Sequence, residues 1–108
     1  MANTFKLKTK ANVGVSTSNV YVVPSATTTV VIGVTLANTS GSSINVGVGV
    51  TRASTDDVKL MKNVPIPQGS SFEFMAGNKV VLETTDTLTA ESDVSNSLDV
   101  ALPIMEIT

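Results

Sequence analysis

The chain has no histidine, no cysteine and no tryptophan in its 108 residues. Without histidine the commonest general acid–base group is missing, and none of the many serines has its usual activating base. Without cysteine there is no disulfide stapling and no thiolate metal site, a composition that fits synthesis in a reducing cytoplasm. Aromatics are limited to one Tyr and three Phe, too few for a carbohydrate-stacking platform that also leaves a core filled. Charged residues make up 15% of the chain, against roughly 25% in an ordinary soluble domain. No apolar run approaches the roughly 18 residues that span a bilayer, and Met1–Thr4 lacks the apolar region of a signal peptide. A net charge of −2 argues against a nucleic-acid partner, because phosphates call for a basic face. These absences point away from an enzyme, a cofactor or metal protein, a membrane protein and a nucleic-acid binder.

What remains is rich in Val, Thr and Ser, arranged in alternating runs. Ile44-Asn45-Val46-Gly47-Val48-Gly49-Val50 is the clearest of these, with apolar residues on one face and small or polar ones on the other. Short strands of this kind recur between turn formers such as Asn38–Ser43, Ala76–Asn78, Thr84–Asp86 and Asp93–Ser97. Eight or nine strands with turn signals at regular spacing and no helical periodicity predict an all-β fold, a sandwich or barrel, with a small antiparallel β-sandwich the first expectation. We expect residues 20–108 to form the sandwich and residues 1–19 an extended arm and linker. The expected core is Val30, Ile32, Val34, Leu36, Ile44, Val46, Val48, Val50, Leu60, Phe72, Phe74, Val81, Leu88, Leu98, Val100, Leu102 and Ile104. Pro103 predicts that the closing strand is an edge or carries a bulge.

A charge-poor chain with a mean hydropathy of +0.27 has surface that other subunits would cover. We therefore expect a homo-oligomer, a trimer about a three-fold axis. The arm offers the first candidate contact: Phe5 and Leu7 alternate with Lys6, Lys8 and Lys10, an apolar stripe beside a basic one. The expectation is that it leaves its own sandwich and adds to the edge of a neighbour, its lysines facing acidic positions there. Gly47 and Gly49 offer the second, a flat strip on which another backbone could lie; a locally weak edge strand explains them equally well. The acidic residues of the last quarter, Glu83, Asp86, Glu91, Asp93, Asp99 and Glu106, are either part of head-to-tail contacts or solvated strand edges. Paired carboxylates at Asp56-Asp57 or among Glu83, Asp86 and Glu91 read as turn residues rather than catalysts. A calcium site near Asp86 or Asp93 has no EF-hand spacing behind it, and Gly47-Val48-Gly49 lies inside a strand rather than opening a helix, so it is not a phosphate loop.

Several short motifs taken in order carry a resemblance. They are Val23-Pro24 with Thr27-Thr28-Thr29, then Gly33 leading to Ala37-Asn38-Thr39-Ser40-Gly41 and Ile44-Asn45-Val46. Pro65-Ile66-Pro67-Gln68-Gly69-Ser70 and Gly77-Asn78-Lys79-Val80-Val81-Leu82-Glu83 with Asp86 follow. The series closes with Ser97-Leu98-Asp99-Val100 and Glu106-Ile107-Thr108. Together they resemble small virion structural proteins of tailed bacteriophages, particularly those of marine bacteria and cyanobacteria. The resemblance implies an antiparallel β-sandwich, jelly-roll-like in form, made in the host cytoplasm and carried in the virion, with capsid or other virion proteins as partners and no catalytic residues. A capsid decoration or cement protein is the first expectation. The alternatives are a neck or tail adaptor, or fibre-associated protein, and a module that binds a host-surface glycan.

Overall fold

The computed structural model describes residues 3–52, 57–74 and 80–108. Asp56 and the expected turn at 76–78 lie outside the described residues, as does the side chain of Phe74. Ten strands make up the described fold, and no helix occurs among these residues: β1 Asn3–Val13, β2 Ser18–Val22, β3 Thr28–Val31, β4 Val34–Asn38, β5 Ile44–Thr51, β6 Asp57–Ile66, β7 Ser71–Phe74, β8 Val80–Leu82, β9 Thr87–Ser92 and β10 Leu98–Ile107.

Every pairing is antiparallel, and the pairings are nested. β5 pairs with β6, β4 with β7, β3 with β8, β2 with β9 and β1 with β10. The chain is thus one long hairpin doubled back on itself. Two further contacts roll that hairpin up: β10 pairs with β3 and β4, and β5 with β9. The result is a six-stranded sheet holding β1, β10, β3, β4, β7 and β8, against a four-stranded sheet in the order β2-β9-β5-β6. Nested antiparallel pairings split over two facing sheets make the fold an all-β antiparallel sandwich.

The larger sheet contains broken strands. Val31 lies opposite Ile104, but Thr35 lies opposite Ala101, so β3 and β4 form one line interrupted by an extra residue at Ile32-Gly33. Such a bulge reverses the inward face, and it explains the main error in the expected core. Val31, Val34 and Leu36 are buried, whereas Val30 and Ile32 are only half-buried. The same reversal puts Leu82 inside and Val81 outside, since Val81 lies opposite Val30. Phe72 stands opposite the buried Leu36 on the edge strand β7, where it remains 37% exposed rather than enclosed. Leu60 packs against the core only in part, and its neighbour Met61 is the buried one.

The expectation about the closing strand also changes. Pro103 does not make β10 an edge, because β10 is paired on both sides. Its carbonyl accepts from the Ile32 amide at 2.9 Å, so its missing N–H falls at the break between β3 and β4, where no ladder bond is lost. Pro65 is accommodated inside β6 because that strand is an edge. β10 otherwise alternates as expected, with Leu98, Val100, Leu102 and Ile104 inward against Ile44, Val46, Val48 and Leu88 of the smaller sheet.

Residues 3–19 do not stand apart from the sandwich as an arm and linker. β1 runs beside β10 from Asn3 opposite Ile107 to Lys10 opposite Val100, and Val13 beyond it is buried opposite Leu98. The boundary at residue 19 falls within β2. The reason is the free side of β10: a central strand with one row of unsatisfied amides and carbonyls takes up the nearest extended segment of its own chain.

Candidate interaction surface

β1 is amphipathic, but it is inserted with its polar side inward. Residues directly opposite one another in a sheet share a face. Lys6 lies opposite the buried Ile104, Lys8 opposite Leu102 and Lys10 opposite Val100, whereas Phe5, Leu7 and Thr9 lie opposite the outward Met105, Pro103 and Ala101. The lysines therefore point toward the gap between the sheets and the apolar residues toward solvent. Phe5 is 72% exposed and Leu7 63%.

A buried polar cluster accounts for this orientation. Glu106 continues the inward row of β10 and is buried at the end of the core. Lys6 Nζ approaches its Oε1 to 2.8 Å. The Tyr21 hydroxyl, reaching over from β2 in the other sheet, donates to its Oε2 at 2.5 Å and also contacts Thr29 Oγ1 at 2.8 Å. Lys8 Nζ stands 5.9 Å from the centre of the Tyr21 ring, within cation–π range. The bond from Lys6, then that from Tyr21, hold the Glu106 carboxyl below its ordinary range. Burial, reinforced by the neighbouring carboxylate, pushes the Tyr21 phenol up to about 12. A carboxylate inside a core needs such partners. Of the three lysines expected to meet acidic groups on another subunit, Lys6 is paired with Glu106 within its own chain.

With the lysines turned in, the outer face of the larger sheet is left apolar. Phe5, Met105, Val30 and Val81 lie side by side across four strands, each opposite the next. Leu7 and Pro103 form a second, adjacent row. Further along the same face the side chains shrink to Thr9, Ala101, Thr35 and Ala37, and the surface dips into a groove of about 250 Å³ bordered by Asp99. Bulky apolar residues at one end and a groove floored by alanine and threonine at the other make up the outer surface of one sheet.

Gly47 and Gly49 do not form a bare strip. Both are buried. A Cβ on Gly49 would come within 2.8 Å of the Val58 carbonyl of β6, and one on Gly47 would meet Met61 O and Glu91 Cγ at 3.4 and 3.5 Å. Lys59 lies opposite Gly49 and Glu91 opposite Gly47, and the two ions join at 2.9 Å across β5. The glycines make room for that diagonal ion pair and for the close approach of β6.

The remaining acidic residues are divided among structural tasks. Arg52 bridges Glu83 at 3.0 Å and the buried Asp86 at 3.2 Å, and these contacts raise its pKa, Asp86 contributing most. Asp86 Oδ2 also accepts from the Glu83 amide, tying the 83–86 turn. Asp93 Oδ1 accepts from the Asn45 amide and Asp99 Oδ1 from the Asn12 amide. Glu91 is held by Lys59, apart from Glu83 and Asp86. Among the described residues no three His, Cys, Asp or Glu side chains gather in a way that would hold a metal ion. The Glu106–Tyr21–Thr29 cluster escaped the sequence reading. Its one signal was an acidic residue at an inward position of an otherwise apolar alternation, Leu98-Val100-Leu102-Ile104-Glu106.

No protein-family model and no curated protein matches this chain in sequence. Its fold is shared with a solved structure described as Bacillus endospore appendages that form a novel family of disulfide-linked pili. That structure has a TM-score of 0.60 and 11% identity, over 99% of this chain and 87% of that one. The likeness places the chain among β-rich folds of this kind.

Proposed function

We propose that the chain is a non-enzymatic structural subunit that works by contact between protein surfaces, as a decoration protein on the shell of a tailed-phage virion. The observation that carries this reading is the outward apolar row of Phe5, Met105, Val30 and Val81. Monomeric proteins rarely leave contiguous apolar surface of this kind uncovered, and such patches mark contact sites. The ordered resemblance to small virion proteins supplies the setting. A test is to purify particles and measure whether the protein stays bound, and in what amount. Copies on the scale of the shell's subunits support decoration, a single ring's worth moves it to the neck or tail, and absence from washed particles overturns the virion reading.

A filament subunit is the second reading, favoured by the fold shared with a pilus protein. Disulfide linkage has no counterpart here, because the chain has no cysteine; any filament of this protein would be held by non-covalent contacts. Electron microscopy of the purified protein separates the two, since filaments formed without particles favour this second reading. A host-glycan module draws less support: the sole tyrosine is buried, and Phe5 and Phe72 are the aromatic residues seen exposed. Calorimetric titration with host polysaccharide addresses it directly.

A further inference from the structure

We infer that residues 3–10 are an exchangeable strand, and that in the assembled protein they occupy the free edge of β10 in a second copy of this chain. The inference rests on the assembly reading above and names the contact that would build it. Four observations carry it. The first is how little the segment gains at home. Its side chains are exposed throughout, Lys8 alone being half-buried, so backbone bonds to β10 and the Lys6–Glu106 pair hold it in place.

The second is a hinge. The pairing with β10 is interrupted between Lys10 and Val13, and Asn12 adopts φ +58° there, a conformation that asparagine tolerates better than most residues. The third is an anchor immediately beyond. Val13 is buried, its carbonyl accepts from the Ser97 amide, and that of Gly14 accepts from the Ser92 amide. The chain is therefore anchored from Asn12, whose amide donates to Asp99 Oδ1, onward, and the ladder bonds to β10 and the Lys6–Glu106 pair are what a swing of residues 3–10 has to release.

The fourth is the selectivity of the vacated slot. Removing the segment would leave the buried Glu106 carboxylate without its cation, so a replacement strand has to bring a positive charge to the position beside Ile104. Residues 3–10 of another copy do this with Lys6, place Lys8 over Tyr21, and restore every backbone bond in the same register. Exchange of an identical element reproduces its contacts at no net loss and links subunits at low cost.

The absence of cysteine makes a covalent test clean. Thr9 and Ala101 are opposite one another on β1 and β10. The Thr9→Cys, Ala101→Cys double variant would be concentrated under reducing conditions, oxidised and separated on a denaturing non-reducing gel, with native mass taken by light scattering. Thr51→Cys, Thr87→Cys, opposite on β5 and β9, serves as a pair that does not exchange. The expected result is a ladder at multiples of 11.2 kDa for the first variant and monomer alone for the second. Native mass above monomer with only intrachain bonds in the first variant overturns the exchange and leaves assembly standing. Monomeric native mass with intrachain bonds overturns both. Should the first variant not fold, Asn3→Cys with Ile107→Cys, the pair at the far end of the same ladder, is read in the same way.

Discussion

Glu106 is the residue on which the fold's polar economy turns, and its protonation sets a pH dependence. Its folded pKa lies below the ordinary value, so the stability it contributes is present above the unfolded pKa of about 4.3. That stability is lost as pH falls through the folded value. Thermal melts from neutral to acid pH should show the wild type losing stability through this range while Glu106→Gln, less stable at neutrality, changes less. The same variant has an optical readout. The chain has one tyrosine, so absorbance near 295 nm reports Tyr21 alone. Its titration near 12 should move toward 10 in Glu106→Gln, part of the way only, because burial, the larger cause, stays. A second residue-scale outcome concerns the glycines. Gly49→Ala forces a methyl against the Val58 carbonyl and should cost on the order of 1–3 kcal/mol, as overpacking does. Gly47→Ala meets ordinary contact distances and should change stability by less than about 1 kcal/mol in urea unfolding.

At the scale of the element, the bulge at Ile32-Gly33 decides which valine matters. Val31→Ala should cost roughly 2 kcal/mol, the loss of two buried methyl groups and some packing; Val30→Ala should cost less than half of that. Equal losses in denaturant titrations would contradict the register described. Much of the fold was legible from residues alone. β5 and β10 alternate without interruption, so their inward rows were read correctly, and so were the turns at 84–86 and 93–97. In β3 and β4 the unbroken run Val30-Val31-Ile32-Gly33-Val34 alternates equally well in two phases, and the extra residue is set by pairing to β10, which no local pattern encodes. β1 differs from expectation for a related reason. Its alternation is plain, but the strand it joins, the free side of β10, and the buried Glu106 that takes up Lys6 are fixed by pairing across the whole chain, which no local pattern encodes. Phe5→Ser with Leu7→Ser should accordingly leave the melting temperature almost unchanged while weakening attachment to particles through the outer apolar face, a separation that a core role for these side chains would not allow.

For the whole molecule, a small, charge-poor domain with one apolar sheet face is expected to self-associate, and the trimer expected from the sequence is the form to test. Light scattering across a concentration series should give three times 11.2 kDa, and a monomer at every concentration would remove the basis for surface-mediated assembly. The nested pairing has a further consequence, in the order of events during synthesis. A hairpin of this form can close from its middle outward, β5 with β6 first, and loops of growing length must be ordered before each outer pair forms. β1 leaves the ribosome ahead of every other strand described here, yet its partner β10 is made after all of them. Throughout translation the first strand is finished, extended and unmatched, while neighbouring ribosomes on the same message carry chains at later stages. Whether β1 closes on its own β10 or on another chain's is then a contest between two rates, one fixed by the length of the intervening polypeptide and the other rising with the local density of nascent copies. Expression level, and not composition alone, becomes a determinant of how this protein is linked.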